Sequence, residues 1–313
     1  MKGTKAMNDT FMLVIQYTLI YATILAIVAI GGMFSERSGV VNLGLEGIMV
    51  IGALCGTIVS SILSNNNASG FIVVTCGILS AIIGGMLFSL LLALACVTFK
   101  ADQTITGTAL NILSTALAII IARIYTKTPS SEIKYDRFSY IFGENGVIQF
   151  NVFSILLIFI LIISALFLYK TKYGMRLIAC GEHPQAADSV GINVYKQRYI
   201  GVILSGVLAG LGGLAYVIPS NNYWDFKNGV AGFGFLALAV MIFGQWNPFK
   251  ILFSAIIFGL FQTIAIVYPG AFGIPVVIYK MLPYIISMIV LAFSSKHSIS
   301  PKAAGVPYDK GAR

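Results

Sequence analysis

Apolar positions along the chain fall into nine long runs. Residues 11–32, 71–98, 105–122, 151–169, 199–219, 230–245, 251–268 and 281–295 contain no Asp, Glu, Lys or Arg, and residues 41–63 contain only Glu46. The charged residues gather in the segments between. A helix needs about 20 apolar residues to cross a hydrocarbon core. In lipid it satisfies all its backbone hydrogen bonds within the segment. The pattern therefore predicts an all-α fold, a polytopic membrane helical bundle of nine or ten transmembrane segments. Residues 1–313 form a single transmembrane domain in this reading. Two features leave the count open. The run 71–98 carries Gly84-Gly85 near its middle and is long enough to break there. Gly39, Gly44, Gly47 and Gly52 make the region of 41–63 a poor continuous helix, open to partial re-entry. The polar start MKGTKAMNDT precedes a run too long for a signal-peptide core, so the first run is expected to be a retained helix.

Composition narrows the class. Hydrophobic residues make up 58% of the chain and charged residues 10%, against about 45–50% and about 25% in soluble proteins. So few charges exclude an ordinary soluble enzyme and a disordered or fibrous chain. The net charge of +9 forms no basic stripe interleaved with aromatics, so nucleic acid is not expected as a partner. The excess of Lys and Arg on cytoplasmic loops of membrane proteins accounts for it. By that rule the loop 170–198, with Lys170, Lys172, Arg176, Lys196 and Arg198, and the tail with Lys296, Lys302, Lys310 and Arg313 are expected to be cytoplasmic. Counting back with one crossing per run puts the N-terminus outside, whereas Lys2 and Lys5 argue for inside. The four cysteines form no CxxC pair and only two histidines occur, so neither a zinc site nor a disulfide framework is expected.

Three places carry candidate chemistry. Glu46 is the one charge inside an apolar run. A charge there costs about 2.5–3.5 kcal/mol on insertion scales, so it must face protein or water. It is expected either to line a substrate path or to be a hydrogen-bonded structural residue. In SGVLAGLGGLA (205–215), Gly206 and Gly210 form one small ridge and Ser205, Ala209 and Gly213 another. Such ridges let helices approach closely, here with neighbours or a partner subunit. The loop 170–198 is too patterned for a connector. Pro184 suits the first turn of a short helix that Gly191 ends, and its small Ala186-Ala187 face suits a groove on another protein. No phosphate-binding loop, GxSxG or HExxH motif occurs. Any ATP must be bound by a partner ATPase, and no cofactor is expected in this chain. The aromatics of NNYWDF (221–226) suit a membrane-interface belt or contact with an external protein.

Four blocks carry a resemblance: SGVVNLGLEGIMVIGA (38–53), ADQTITGTALN (101–111), YGMRLIACGEHPQAADSVGINVYKQRYIGVILSGVLAGLGG (173–213) and GFGFLALAVMIFGQWNPFKILFSAIIFGL (232–260). In order and content they resemble permease subunits of ATP-binding-cassette importers of the branched-chain amino-acid, ribose and nucleoside group. The nucleoside-type permeases are the most similar. The resemblance implies a translocation path for nucleosides, with simple sugars or branched-chain amino acids as alternatives. It also implies a sister permease in a heterodimer, a cytoplasmic ATPase with nucleotide-binding domains and an extracellular substrate-binding lipoprotein. On this view Asn42 and Glu46 line the path, and Gly181, Glu182, Ala186, Ala187 and Gly191 belong to a coupling helix that docks on the ATPase. The rival from another class, an ion-coupled secondary carrier, would leave the patterned loop without a purpose.

Overall fold

The computed structural model describes residues 2–142, 150–219, 222–267 and 300–310, with Met281, Tyr284, Ile285 and Met288. Ten α-helices follow in order among them. They are α1 (Lys2–Arg37), α2 (Leu45–Asn65), α3 (Gly70–Ala93), α4 (Gln103–Thr126), α5 (Val152–Lys170), α6 (Lys172–Glu182), α7 (Pro184–Ser189), α8 (Val194–Val217), α9 (Phe233–Phe243) and α10 (Pro248–Val267). Seven are long and apolar enough to cross a membrane: α1 from Phe11, α2, α3, α4, α5, α8 and α10. At 11 residues, α9 spans about 16 Å at the helical rise, too short for a hydrocarbon core of about 30 Å. Most of the apolar run 281–295 lies outside the described residues, as do Lys296 and Arg313.

The run 71–98 does not break at Gly84-Gly85. It is one helix, α3, prolonged by a π-helical turn over Leu94–Thr98. Those glycines are contact points: a Cβ on Gly85 would lie 2.4 Å from the Gly206 carbonyl oxygen on α8. The region around 41–63 is interrupted instead, because residues 38–44 are non-helical and α2 begins only at Leu45.

At the centre lies α8, with 78% of its span buried, against 28% for α4 and for α5. Both small-residue ridges are used inside the chain. Gly206 meets Ser89 and Gly85 of α3, Gly210 meets Gly85 and Ala81 of α3, and Gly213 meets Met49 of α2. They are therefore not available to a partner subunit. Gly52 is a second close crossing between α2 and α8, where a Cβ would lie 2.3 Å from the Gly210 Cα. Such backbone contact replaces the hydrophobic drive that helices lack in lipid.

Two faces follow from the contacts. The loop face gathers α6, α7, residues 300–310, the end of α1 and the start of α4. There the Ala303 N–H donates to the Gly181 carbonyl (2.8 Å), and the Val41 N–H to Gln103 Oε1 (2.7 Å). Arg198 Nη1 donates to the Val306 carbonyl at 2.9 Å, Lys100 pairs with Asp309 at 3.1 Å, and Lys310 lies 3.9 Å from Asp188. The opposite face carries two antiparallel ribbons, β1 (Glu132–Lys134) with β4 (Tyr223–Asp225) and β2 (Ile141–Phe142) with β3 (Phe150–Asn151). Trp224 belongs to the first ribbon, and its Nε1 donates to the Gly229 carbonyl at 3.1 Å. Its place is thus structural as much as interfacial. Early α1 adjoins the start of α5 through Thr23 and Ser154 (3.3 Å) and the end of α10 through Thr18 and Thr263 (3.3 Å). So α1 runs from the opposite face to the loop face.

Candidate functional site

The non-helical segment 38–44 lets α2 start inside the bundle, which leaves the backbone groups at its first turn in need of partners. Asn111 of α4 supplies two: its Oδ1 accepts from the Gly47 N–H at 2.7 Å and its Nδ2 donates to the Leu43 carbonyl at 2.9 Å. Glu46 stands in this first turn, where the helix dipole favours a carboxylate. It reaches across to a second helix start. Its Oε1 accepts from the Gly232 N–H at 2.8 Å and its Oε2 from the Gly234 N–H at 2.7 Å, at the beginning of α9. One carboxylate thus serves the N-terminal ends of two helices. Gly234 must lack a side chain, since a Cβ would lie 2.4 Å from the Glu46 backbone nitrogen. Gly232 takes a left-handed φ of +80°, and Tyr284 Oη donates to the neighbouring Ala231 carbonyl at 2.7 Å.

Glu46 also borders a groove of about 670 Å³ walled by Thr108, Asn111, Ile112, Thr115, Ile119 and Phe235 among others. The wall is apolar apart from Glu46, Asn111 and two threonine hydroxyls. Such a mixture suits a small solute with an apolar face and a few hydrogen-bonding groups. Asn42 is not in this wall. It is fully buried, and its Nδ2 donates to Ser205 Oγ at 2.9 Å, joining the segment before α2 to α8. Asn42, which the sequence reading placed on the path with Glu46, is packed against α8 and apart from this groove. Asn111, Gly232 and Gly234 were not singled out from the sequence. Their partners lie 64, 186 and 188 positions away, so no local spacing exposes them.

The second site is on the loop face. The segment 170–198 is mostly helical. Thr171 Oγ1 caps α6 by accepting from the Gly174 N–H at 3.1 Å, a signal present in the sequence. The helix stops at Glu182 because Pro184 restrains His183, and α7 follows with Pro184 at its first position. Gly191, at φ +82°, makes the turn that follows. Ala186 is exposed, but Ala187 is turned inward onto Cys180, Val194 and Tyr308. The expected Ala186-Ala187 docking face therefore reduces to Ala186 with its exposed neighbours Gln185, Ser189 and Val190. Gly181 is packed against the end of α1, where a Cβ would lie 2.3 Å from the Arg37 carbonyl oxygen. Glu182 Oε1 is 3.8 Å from Arg37 Nη1. Burial pushes the Cys180 thiol up to about 11, with the Arg198 guanidinium opposing it.

The profile of a family described as the permease component of a branched-chain amino acid transport system matches residues 14–291. The chain belongs to this family. With seven apolar helices among the described residues, this permease is a multi-pass membrane protein. It is 39% identical to the nucleoside ABC transporter permease protein NupC of Lactococcus lactis over 318 residues, covering 96% of this chain and 98% of that one. It is 40% identical to the guanosine ABC transporter permease protein NupQ of Bacillus subtilis, with the same coverage. A second Lactococcus lactis protein, the nucleoside ABC transporter permease protein NupB, is 30% identical over 158 residues, 50% of this chain and 43% of its own.

Proposed function

We propose that this permease forms the translocation path for nucleosides in an ATP-driven importer, with energy from a separate ATPase. The observation that carries the reading is the near-full-length similarity to two permeases named for nucleoside and guanosine transport. The groove beside Glu46 and Asn111 supports it. A nucleoside has a flat base to lie on Ile112, Ile119 and Phe235, and polar edges for the threonine hydroxyls. Glu46 spends one lone pair of each oxygen on α9 and keeps the others for a ribose hydroxyl.

The whole chain works as one permease domain. Its loop face is cytoplasmic, as the basic residues of 170–198 and of the tail require, and so is its C-terminus. The helices α6 and α7 are the coupling element, with Gly181, Glu182, Ala186, Ala187 and Gly191 shaping it. Ala186 makes contact with the ATPase, while Ala187 and Gly181 hold α7 in place. The partner in the membrane is a sister permease in a heterodimer. Two permease chains of one organism, NupC and NupB, both resemble this chain, one along its length and one over half of it. A substrate-binding lipoprotein delivers ligand to the ribbon face. Two short elements, α9 and the run 281–295, complete a bundle of nine membrane segments.

The test is uptake of radiolabelled nucleosides by cells lacking this chain, with the chain restored and with a catalytic mutant of the ATPase. Loss of uptake in the deletion and in the ATPase mutant is expected. Unchanged nucleoside uptake in both would turn the substrate to sugars or amino acids. Uptake that depends on this chain but survives the ATPase mutation would point to an ion-coupled carrier.

A further inference from the structure

The helix α9 is held at both ends by carboxylates that bracket a single connection. Glu36 stands at the end of α1 and Glu46 at the start of α2. Glu46 holds the first turn of α9 through Gly232 and Gly234. Just beyond the other end, Trp246 is buried, and its indole Nε1 donates to Glu36 Oε2 at 2.7 Å. The backbone is bent to allow this. Gln245 and Trp246 both have φ of +52°, a left-handed conformation that residues other than glycine take rarely, and then more often at functional sites. Arg37 joins the same point to the coupling element. Its Nη2 donates to the Trp246 carbonyl at 3.2 Å, and its Nη1 faces Glu182 at 3.8 Å. Gly181 presses on the Arg37 backbone beside it.

We propose that Trp246 is a positioning residue, a latch that ties α9 to the end of α1 so that displacement of α6 and α7 reaches Glu46 along α9. The inference rests on the reading of α6 and α7 as the coupling element. Between its two carboxylates α9 is an unbroken, largely buried helix. A helix of this length moves as a rigid rod, so a shift at Trp246 is delivered to Gly232 and Gly234. Those amides set the position of the Glu46 carboxylate at the groove. Glu36 does not border the groove described above, and its role is to hold the indole.

The experiment uses the whole transporter, permease pair with ATPase, in lipid nanodiscs and proteoliposomes. Trp246→Phe keeps the ring and removes the N–H. Its expected effect is about a ten-fold fall in nucleoside moved per ATP hydrolysed, the scale set by the loss of one buried hydrogen bond. Co-purification with the ATPase stays unchanged. Glu36→Leu is expected to behave likewise, and Glu36→Gln, whose amide oxygen still accepts from the indole, to stay near wild type. The second readout is hydrogen exchange of the α9 amides with and without trapped nucleotide. A nucleotide-dependent change in the wild type that is lost in Trp246→Phe supports the latch. An unchanged transport ratio in both Trp246→Phe and Glu36→Leu overturns it, and so does the absence of any α9 response in the wild type. Should Trp246→Phe fail to assemble, Glu36→Leu against Glu36→Gln decides by the same readouts. If the wild-type transporter moves no nucleoside, the substrate reading has failed and the exchange comparison alone decides the latch.

Discussion

At the residue scale, the question about Glu46 is whether it is there for a solute or for the fold. It accepts two backbone hydrogen bonds at 2.8 and 2.7 Å from a helix of another part of the chain. Hydrogen bonds to a charged group contribute about 1.5–3 kcal/mol each. Glu46→Ala is therefore expected to lower stability by about 3 kcal/mol or more, and to abolish uptake, measured by thermal unfolding and transport. Glu46→Gln keeps one good acceptor and trades the other for a donor facing the Gly234 or Gly232 N–H. An intermediate loss of stability is expected, with a larger loss of transport. Normal uptake with both variants would remove Glu46 from the path. Cys180 gives a second residue-scale test. Its thiol is buried and held up at about 11, while an unfolded thiol titrates near 9. Between these values the unfolded state has lost a proton that the folded state keeps, so stability falls as pH rises. Loosening of α6 and α7, followed by maleimide labelling of Cys180, is expected to set in above about pH 9. Tyr308→Ala uncovers the thiol and should bring labelling in at lower pH.

At the element scale, α7 shows how a short helix can be anchored on one side and free on the other. Ala187 is packed inside the chain and Ala186 is exposed. Ala186→Asp is expected to weaken co-purification with the ATPase without changing the unfolding temperature. Ala187→Asp should do both, because it buries a carboxylate beside Val194 and Tyr308. Equal behaviour of the two would contradict the assignment of faces. These elements also show what was legible beforehand. The seven long helices, the helix at Pro184 with its Gly191 stop, and the close-packed ridges of α8 follow from local pattern. The identity of what those ridges touch does not. Gly210 is small in sequence for reasons that only Gly85, Ala81 and Gly52 explain. Likewise Glu46 stands out as a lone charge, but its partners Gly232 and Gly234 are anonymous glycines in an apolar run. The burial of Asn42 against α8 is also hidden in the sequence, because exposure depends on which helix covers a residue. The shortness of α9 was hidden by apolar residues continuing past both of its ends.

At the scale of the whole molecule, the uninterrupted α3 fixes the parity that the charges left open. One crossing each for α1 to α5 sets the beginning of α1 on the face opposite α6, α7 and residues 300–310. With the loop face proposed as cytoplasmic, the N-terminal lysines Lys2 and Lys5 stand against the positive-inside tendency, and the larger charge of the loop face is the reason for that proposal. A cysteine introduced at Lys5 is expected to react with an impermeant maleimide added to intact cells, while one introduced at Lys302 should react only after the cells are opened. The reverse pattern would invert the permease and with it the assignment of the coupling face.

Residues 300–310 have a consequence for how the protein is made. Tyr308 completes the small apolar cluster of Cys180, Ala187 and Val194, and Arg198 and Gly181 find backbone partners at Val306 and Ala303. During synthesis those partners emerge about a hundred residues after the helices they secure. A nascent chain thus carries α6 and α7 without these partners until residues 300–310 have been made. A fragment that stops before residue 300 is left without these backbone partners and without Tyr308 in the cluster.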